Sequence, residues 1–530
     1  MKPILATLTT CLLLCAQAFA AAANKPNIIV ILVDDMGFSD IGCYGSEIPT
    51  PNLDALAANG VRFTQFYNTA RCCPTRAALL TGLYSHQTGV GHMVEDKGAT
   101  GYRGRLNDSC VTIAEVLKPA GYFTAFSGKW HVGQNFGVAP WTRGFNRSLN
   151  AAAGGFYFPT HPRAELFLNG EKIANDDKRL PANWYSTALW TTFGLKFIDE
   201  ALAAKKPFYL HLCYNAPHFS LQAPAEDIAK FRGKYKAGWG AVGEARYAKQ
   251  KELGIIETNW DKSPRPKDVK SWSSVSPEEQ DRFDHIMAVY AAVVNHMDKA
   301  VGDLVAGLKQ RGVLDNTLIL FMSDNGGNAE SGPNGKTVGD PSQGNSDWFC
   351  GESWAYVENT PFRLFKHYNH EGGVATPLIA HWPKGITAKG ELRKQPGHLI
   401  DVMATCVDVS GAKYPQEFKG HAILPMEGRS LVPVFADKPI QRDALYWEHE
   451  GNAAIRVGDS KLVRFGRKGA WELYDMKSDR TELHDLAATQ PDKVKELSAK
   501  WEAWAERAHV KPYPEGGGKK GVGKKKATAE

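Results

Sequence analysis

Asn27-Ile28-Ile29-Val30-Ile31-Leu32-Val33 contains an unbroken apolar run and ends in the polar pair Asp34-Asp35. A strand with one wet face alternates apolar and polar residues; a run without alternation has to be covered on both sides, as parallel strands are when helices pack over them. Comparable runs recur at Tyr122 to Phe126, Pro207 to Cys213, Thr317 to Met322 and Pro377 to Ala380. Helical periodicity lies between them, most clearly from Ile286 to Leu308, where Ile286, Val289, Val293, Met297, Val301 and Leu304 fall on one face. The pattern predicts a doubly wound α/β fold, a sheet covered by helices on both faces.

In such sheets ligands sit beyond the carboxyl ends of the strands. Four runs are followed at once by chemistry-bearing residues: Asp34-Asp35, Lys129-Trp130-His131, Asn215-Ala216-Pro217-His218 and Asp324-Asn325. Taken singly, each has an ordinary explanation, since Asp34 or Asn325 could cap a helix and either histidine could be a satisfied core residue. Taken together, they are expected at one place. Asp34, Asp35, Asp324 and Asn325 form an oxygen-only set, which suits a hard cation such as Ca²⁺, with Mg²⁺ as the alternative, and not zinc.

Cys72-Cys73-Pro74-Thr75-Arg76-Ala77-Ala78-Leu79-Leu80-Thr81-Gly82 reads as a reactive residue at the start of a short helix. Pro74 suits the first turn and Gly82 the exit. An anion there would meet free backbone N–H groups, with Arg76 one turn in to hold it by its planar fork.

These eleven residues resemble the signature Cys-x-Pro-Ser-Arg-x-x-x-Leu-Thr-Gly of type I sulfatases, members of the alkaline phosphatase superfamily in which the Cys is oxidised to formylglycine. The match holds at Cys72, Pro74, Arg76, Leu80, Thr81 and Gly82, with Thr75 in place of the commoner Ser. The resemblance extends to Ser323-Asp324-Asn325-Gly326, Gly128-Lys129-Trp130-His131, Ala216-Pro217-His218 and Pro361 to Lys366 before Glu371-Gly372-Gly373, covering residues 26 to 510 in family order. It implies that Asp34, Asp35, Asp324, Asn325 and the converted Cys72 bind one divalent metal. It also implies a large mixed, mostly parallel sheet sandwiched by helices. It implies further that Arg76 and the metal ease ionisation of one hydroxyl of the hydrated formylglycine, whose oxygen attacks sulfur, that Lys129, Lys366 and the metal stabilise the sulfuryl group, that His218 protonates the departing alcohol or holds its oxygen, and that His131 takes the proton whose loss expels sulfate.

The expected activity is therefore hydrolysis of a sulfate monoester, aryl or carbohydrate, after processing by a formylglycine-generating maturation enzyme. Two other readings compete: a phosphodiester or phosphonate monoester hydrolase of the same superfamily, and a secreted glycan-binding protein without turnover. Aromatic residues on long loops, Phe156 to Phe158 and Trp348, Phe349, Trp354 and Tyr356, are read as a rim that stacks on a sugar or aryl ring. Glu226 to Glu278, with Trp239, Trp260 and Trp272, is read as a lid.

Met1-Lys2, the apolar run to Leu14 and the small residues after it fit a signal peptide over 1–23, and no later run is long enough to span a bilayer. An exported protein, periplasmic or extracellular, is expected, without an integral membrane segment. The formal charge of +6 sits largely in the lysine-rich 511–530 tail, read as disordered, so the body is near neutral and no nucleic-acid surface is implied. Nine cysteines, two of them in the signal, follow no disulfide or zinc spacing, and one or two bridges are allowed for. The catalytic domain is placed at 24–440. Short amphipathic strands at Ala444 to Trp447, Ala453 to Val457, Lys461 to Arg464 and Glu472 to Tyr474, with a helix from Pro491 to Ala508, place a C-terminal α+β subdomain at 441–510. Arg442 to Glu450 is expected near the cleft edge, with no residue of it assigned a role.

Overall fold

Alternate residues of the strand Asn27–Val33 enter two different cores, as the two-residue period of a strand requires. Ile29, Ile31 and Val33 pack with the helices Ser186–Ala203 and Pro277–Gln310, whereas Ile28, Val30 and Leu32 pack with Cys72–Thr81, Ile113–Leu117 and Asp401–Ser410. The absence of a polar face in the sequence thus reflects helices on both sides. These features come from a computed structural model that describes residues 25–514; the signal-peptide reading and all but the first residues of the basic tail lie outside the described residues.

Among the described residues an eleven-stranded sheet has Asn27–Val33 at its centre, paired in parallel with Thr317–Ser323 on one side and Phe208–Cys213 on the other. Phe123–Lys129 and Arg147–Ala151 continue it in parallel beyond Phe208–Cys213. On the other flank Ala375–His381 runs antiparallel to both Thr317–Ser323 and Val61–Tyr67, which makes the sheet mixed.

The helix read from Ile286 onwards starts earlier, at Pro277, where Ser276 accepts a hydrogen bond from the Glu279 N–H and Glu278 and Glu279 favour the positive helix end. Its first turns are polar and largely exposed, so they lack the apolar signal; the six positions picked out by period are all fully buried. The C-terminal strands lie at Leu445–His449, Asn452–Val457, Ser460–Arg464 and Trp471–Asp475 as an antiparallel meander, and helix Pro491–Arg507 covers it through Leu497, Trp501 and Trp504. All seven described cysteines are free, so none of the bridges allowed for is present among the described residues.

Candidate active site

Strand register sets the position of the polar rim. Val33 pairs with Ser323 and Leu32 with Cys213, so the three central strands end level and deliver Asp34-Asp35, Asp324-Asn325 and Tyr214-Asn215 to one edge. Phe123–Lys129 reaches the same edge because it continues through Ser127 and Gly128. A Cβ at Gly128 would lie 1.8 Å from the Cys213 carbonyl oxygen, so only glycine lets the strands approach this closely before Lys129. Ala375–His381, being antiparallel, begins at this edge and places the preceding Lys366 and Glu371 there.

Cys72 opens the helix Cys72–Thr81, and Gly82 leaves it in the left-handed conformation at φ 70°. The Cys72 sulfur lies 3.6 Å from His131 Nδ1. A hydrogen bond from Cys73 pulls the Cys72 thiol pKa well below its ordinary value; burial opposes this, and Lys129 and His131 add to it. The Thr75 hydroxyl donates to the Asp324 carbonyl oxygen at 2.6 Å and receives the Thr69 N–H at 3.0 Å, pinning the helix Cys72–Thr81 to the end of a central strand. The hydroxyl common to Ser and Thr is what this position uses.

Lys129 Nζ lies 2.5 Å from Asp34 Oδ2, and Lys366 Nζ lies 2.8 Å from Asp35 Oδ1. Asn325 donates its side-chain amide to Asp35 Oδ1 at 2.7 Å and to the Gly326 carbonyl, and its own carbonyl oxygen has no partner among the described residues. Asp34 Oδ1 is likewise buried and unpaired. Buried oxygens are rarely left so, and two of them among four oxygen-bearing residues are the arrangement a hard cation satisfies. The donor set fits a divalent metal.

Burial pushes Asp34 upward, but Lys129, His218 and Arg76 outweigh it and hold its carboxyl well below the usual range. Burial and the neighbouring Asp34 charge push Asp324 upward. Burial lowers both His131 and His218, so that both imidazoles are neutral near pH 7. His218 Nε2 stands 3.5 Å from Asp35 Oδ2, and its ring stacks on Phe219 at 4.1 Å. His131 and Asp35 both hold positive φ, 56° and 65°, a backbone state that side chains seldom adopt and that the packed strand ends impose here.

Several expectations change. Arg76 does not turn a free fork to the pocket: its terminal nitrogens donate to the Lys129 carbonyl at 2.8 Å and to Asp324 at 2.9 Å, with Asp34 at 3.3 Å, so it organises the carboxylates. The aromatic rim is mostly core. Phe156, Tyr157, Trp348, Trp354 and Tyr356 are buried, and the Trp354 indole N–H donates to the Phe283 carbonyl. Of that set Phe158 and Phe349 remain partly exposed, Phe349 stacked on Phe219 with centroids 4.2 Å apart. The segment read as a lid is docked through buried Trp239 and Trp260 and through Arg246, which pairs with Asp40 at 2.6 Å. Asn215 is structural, accepting from Ser186 and Trp190.

Three residues were missed. Asn328 donates to Asp35 Oδ2 at 2.6 Å, Glu330 lies 3.7 Å from Lys366, and Arg71 pairs with Glu330 at the mouth. Asn328 and Glu330 follow Ser323-Asp324-Asn325-Gly326 closely, and that proximity was the available signal. Glu371 also proves structural: its carboxylate pairs with Lys461 and Arg480 of the C-terminal unit.

A family described as Sulfatase matches residues 26–412, and one described as N-sulphoglucosamine sulphohydrolase, C-terminal, matches residues 362–507. The chain is 36% identical to an arylsulfatase of Klebsiella aerogenes over 82% of this chain and 97% of the relative. It is 27% identical to an N-acetylgalactosamine-6-sulfatase of Mus musculus over 87% of this chain and 76% of the relative. Among solved structures, Ps i-CgsB in complex with k-i-k-neocarrahexaose superposes with a TM-score of 0.67 at 27% identity, covering 92% of this chain and 98% of that one. The strand-end oxygens, the cysteine-led helix and this breadth of likeness have one reading: the chain belongs to the sulfatase family, whose enzymes hydrolyse sulfate esters.

Proposed function

We propose that this enzyme removes a terminal sulfate from a sulfated carbohydrate, and also cleaves small aryl sulfates, using formylglycine at position 72 and one Ca²⁺, or Mg²⁺, held by Asp34, Asp35, Asp324, Asn325 and residue 72. The observation that carries the reading is the pair of unpaired buried oxygens, Asp34 Oδ1 and Asn325 Oδ1, at the strand ends where the Cys72 helix begins. The cation, when bound, supplies Lewis-acid stabilisation of charge at the reacting sulfuryl oxygens.

The chain's own residues account for the rest. Arg76, Lys129 and Lys366 are buried cations set against the buried carboxylates Asp34, Asp35 and Asp324, so the protein charge there is balanced until a dication is added. The pocket then favours an anion, and Lys129 and Lys366 are placed to follow the sulfuryl charge as it shifts. His131, neutral and 3.6 Å from the Cys72 sulfur, is the base that takes the hydroxyl proton when sulfate leaves. His218, neutral and on the opposite flank against Asp35, is placed to hold the departing alcohol oxygen by a ring N–H. The stacked Phe219 and Phe349 rings beside His218 offer an apolar face to the ring that carries that oxygen.

Support for a carbohydrate substrate comes from the relatives named above, and support for export from the signal-like 1–23 segment; among the described residues no helix is long and apolar enough to cross a membrane. Sulfate release should be followed from aryl sulfate, aryl phosphodiester, sulfated monosaccharides, oligosaccharides and intact polymers, with chain length recorded. Preference for phosphodiester would install the rival hydrolase, and release confined to polymer interiors would refute terminal attack.

A further inference from the structure

A second group of ligand-type side chains lies beside the sulfate pocket and takes no part in the chemistry above. His367 follows Lys366 in the chain, and its Nδ1 is 3.0 Å from Glu450 Oε2. The other Glu450 oxygen lies 3.7 Å from His449 Nε2 and 3.2 Å from His92 Nε2. His449 and Glu450 stand at the turn between the strands Leu445–His449 and Asn452–Val457. The group therefore joins the small sheet to the large one at the edge of the cleft.

His449 is the informative member. It is fully buried, its ring stacks on that of His92 with centroids 5.6 Å apart, and neither ring nitrogen has a hydrogen-bond partner among the described residues. An imidazole buried without partners forfeits its hydration for nothing, so the site is incomplete as it stands. An anion is a poor occupant, because the carboxylates of Glu450 and Glu330 both face the group, Glu330 lying 2.9 Å from His367 Nε2, and the one arginine that reaches His367 among the described residues, Arg71, is already paired with Glu330. A cation suits it. One ligand atom from each of His367, His449 and Glu450 lies within 4.8 Å of the others. A tetrahedral ion with bonds of about 2.0–2.1 Å holds its ligand atoms about 3.3 Å apart, and the Glu450 carboxylate reaches each imidazole on that scale through a different oxygen, Oε2 at 3.0 Å from His367 and Oε1 at 3.7 Å from His449.

We propose that His367, His449 and Glu450 bind a zinc-class divalent cation that clasps the C-terminal hairpin to the catalytic sheet, with His92 beside the Glu450 carboxylate to complete or support the site. Two imidazoles and one carboxylate select a borderline transition ion, in contrast to the oxygen-only set under the nucleophile. With Nδ1 of His367 on the ion, its Nε2 faces the Arg71–Glu330 pair, 2.5 Å from the Arg71 guanidinium and 2.9 Å from Glu330 Oε1, and that pair holds the ring in place. Arg71 pairs with Glu330 in turn, so the clasp connects to the residue immediately before Cys72.

The test uses full-length protein stripped with chelator and titrated with Zn²⁺ alone, with bound metal per chain counted after desalting, melting temperature recorded, and Co²⁺ absorption used to report nitrogen ligation. Glu450→Gln is the main variant, because its side chain is 37% exposed and the change is isosteric; His449→Gln is the second. Wild type should hold one zinc per chain that Glu450→Gln loses or binds at least tenfold more weakly, and should melt higher with Zn²⁺ only when Glu450 is intact. Equal zinc content, affinity and melting response in wild type and Glu450→Gln would overturn the proposal. So would a zinc lost in Asp324→Ala but retained in Glu450→Gln, since that ion would belong to the oxygen-ligated site.

Discussion

Replacing Glu371 by Gln should loosen the C-terminal unit without touching the sulfate pocket. The carboxylate is fully buried; Oε1 accepts from Lys461 at 2.8 Å, and Oε2 accepts from Arg480 at 2.7 Å and from the Tyr67 hydroxyl at 3.1 Å. Burial alone would raise its pKa, but Lys461, Arg480 and Arg456 hold it at about 2, against an ordinary 4.5. Each pKa unit corresponds to about 1.4 kcal/mol, so the ionised form contributes on the order of 3 kcal/mol to the folded state. That agrees with the cost of about 3–5 kcal/mol for removing one partner of a buried ion pair. Lys461 keeps Glu482 at 2.8 Å in the variant, which favours the lower end of that range. Because the folded pKa is depressed, the contribution is complete above the unfolded value near 4.5 and is lost as pH falls towards 2. Urea unfolding, followed by tryptophan fluorescence at pH 7 and at pH 3, should show a gap of about 3 kcal/mol that narrows in acid. A gap below about 1 kcal/mol at pH 7, or one unchanged at pH 3, would refute this assignment of charge.

Trp354→Ala should cost about 3–5 kcal/mol through a core cavity while leaving KM for aryl sulfates unchanged; a shift in KM for sugars with stability intact would restore the aromatic-rim reading. Thr75→Ser should keep both hydroxyl contacts and near-native melting, whereas Thr75→Val should cost about 1–3 kcal/mol by leaving buried partners at Thr69 and Asp324 unpaired. Chelation and Asp324→Ala should each abolish aryl-sulfate turnover, with Ca²⁺ or Mg²⁺ restoring only the wild type and Zn²⁺ restoring it less well. Activity persisting in protein shown by elemental analysis to be metal-free would contradict the oxygen-ligated cation.

The central strands were legible because burial on both faces leaves a signal in composition alone: Asn27 to Val33, Pro207 to Cys213 and Thr317 to Met322 coincide with observed strands to within a residue. Val61–Tyr67 was missed because Arg62, Thr64 and Gln65 interrupt its apolar pattern. The antiparallel direction of Ala375–His381 leaves no local trace, since strand direction is a property of pairing. In the site, residue types at strand ends identified the oxygen set and the cysteine-led helix. Sequence could not show that Arg76 spends its donors on Asp324 and the Lys129 backbone, because that depends on which buried acceptors face it. The aromatic loops misled for a related reason: a long loop can be anchored by the same tryptophans that would line a sugar site, and only burial tells the two apart.

Whether residue 72 works as an aldehyde or as a thiol decides the proposed mechanism. Peptide mass spectrometry of catalytically active protein, covering residues 72 to 76, distinguishes the two. Formylglycine is expected at Cys72 beside an unmodified Cys73, with turnover that rises with the converted fraction and vanishes in a folded Cys72→Ala variant. Fully active protein carrying an intact thiol at Cys72 would contradict the mechanism.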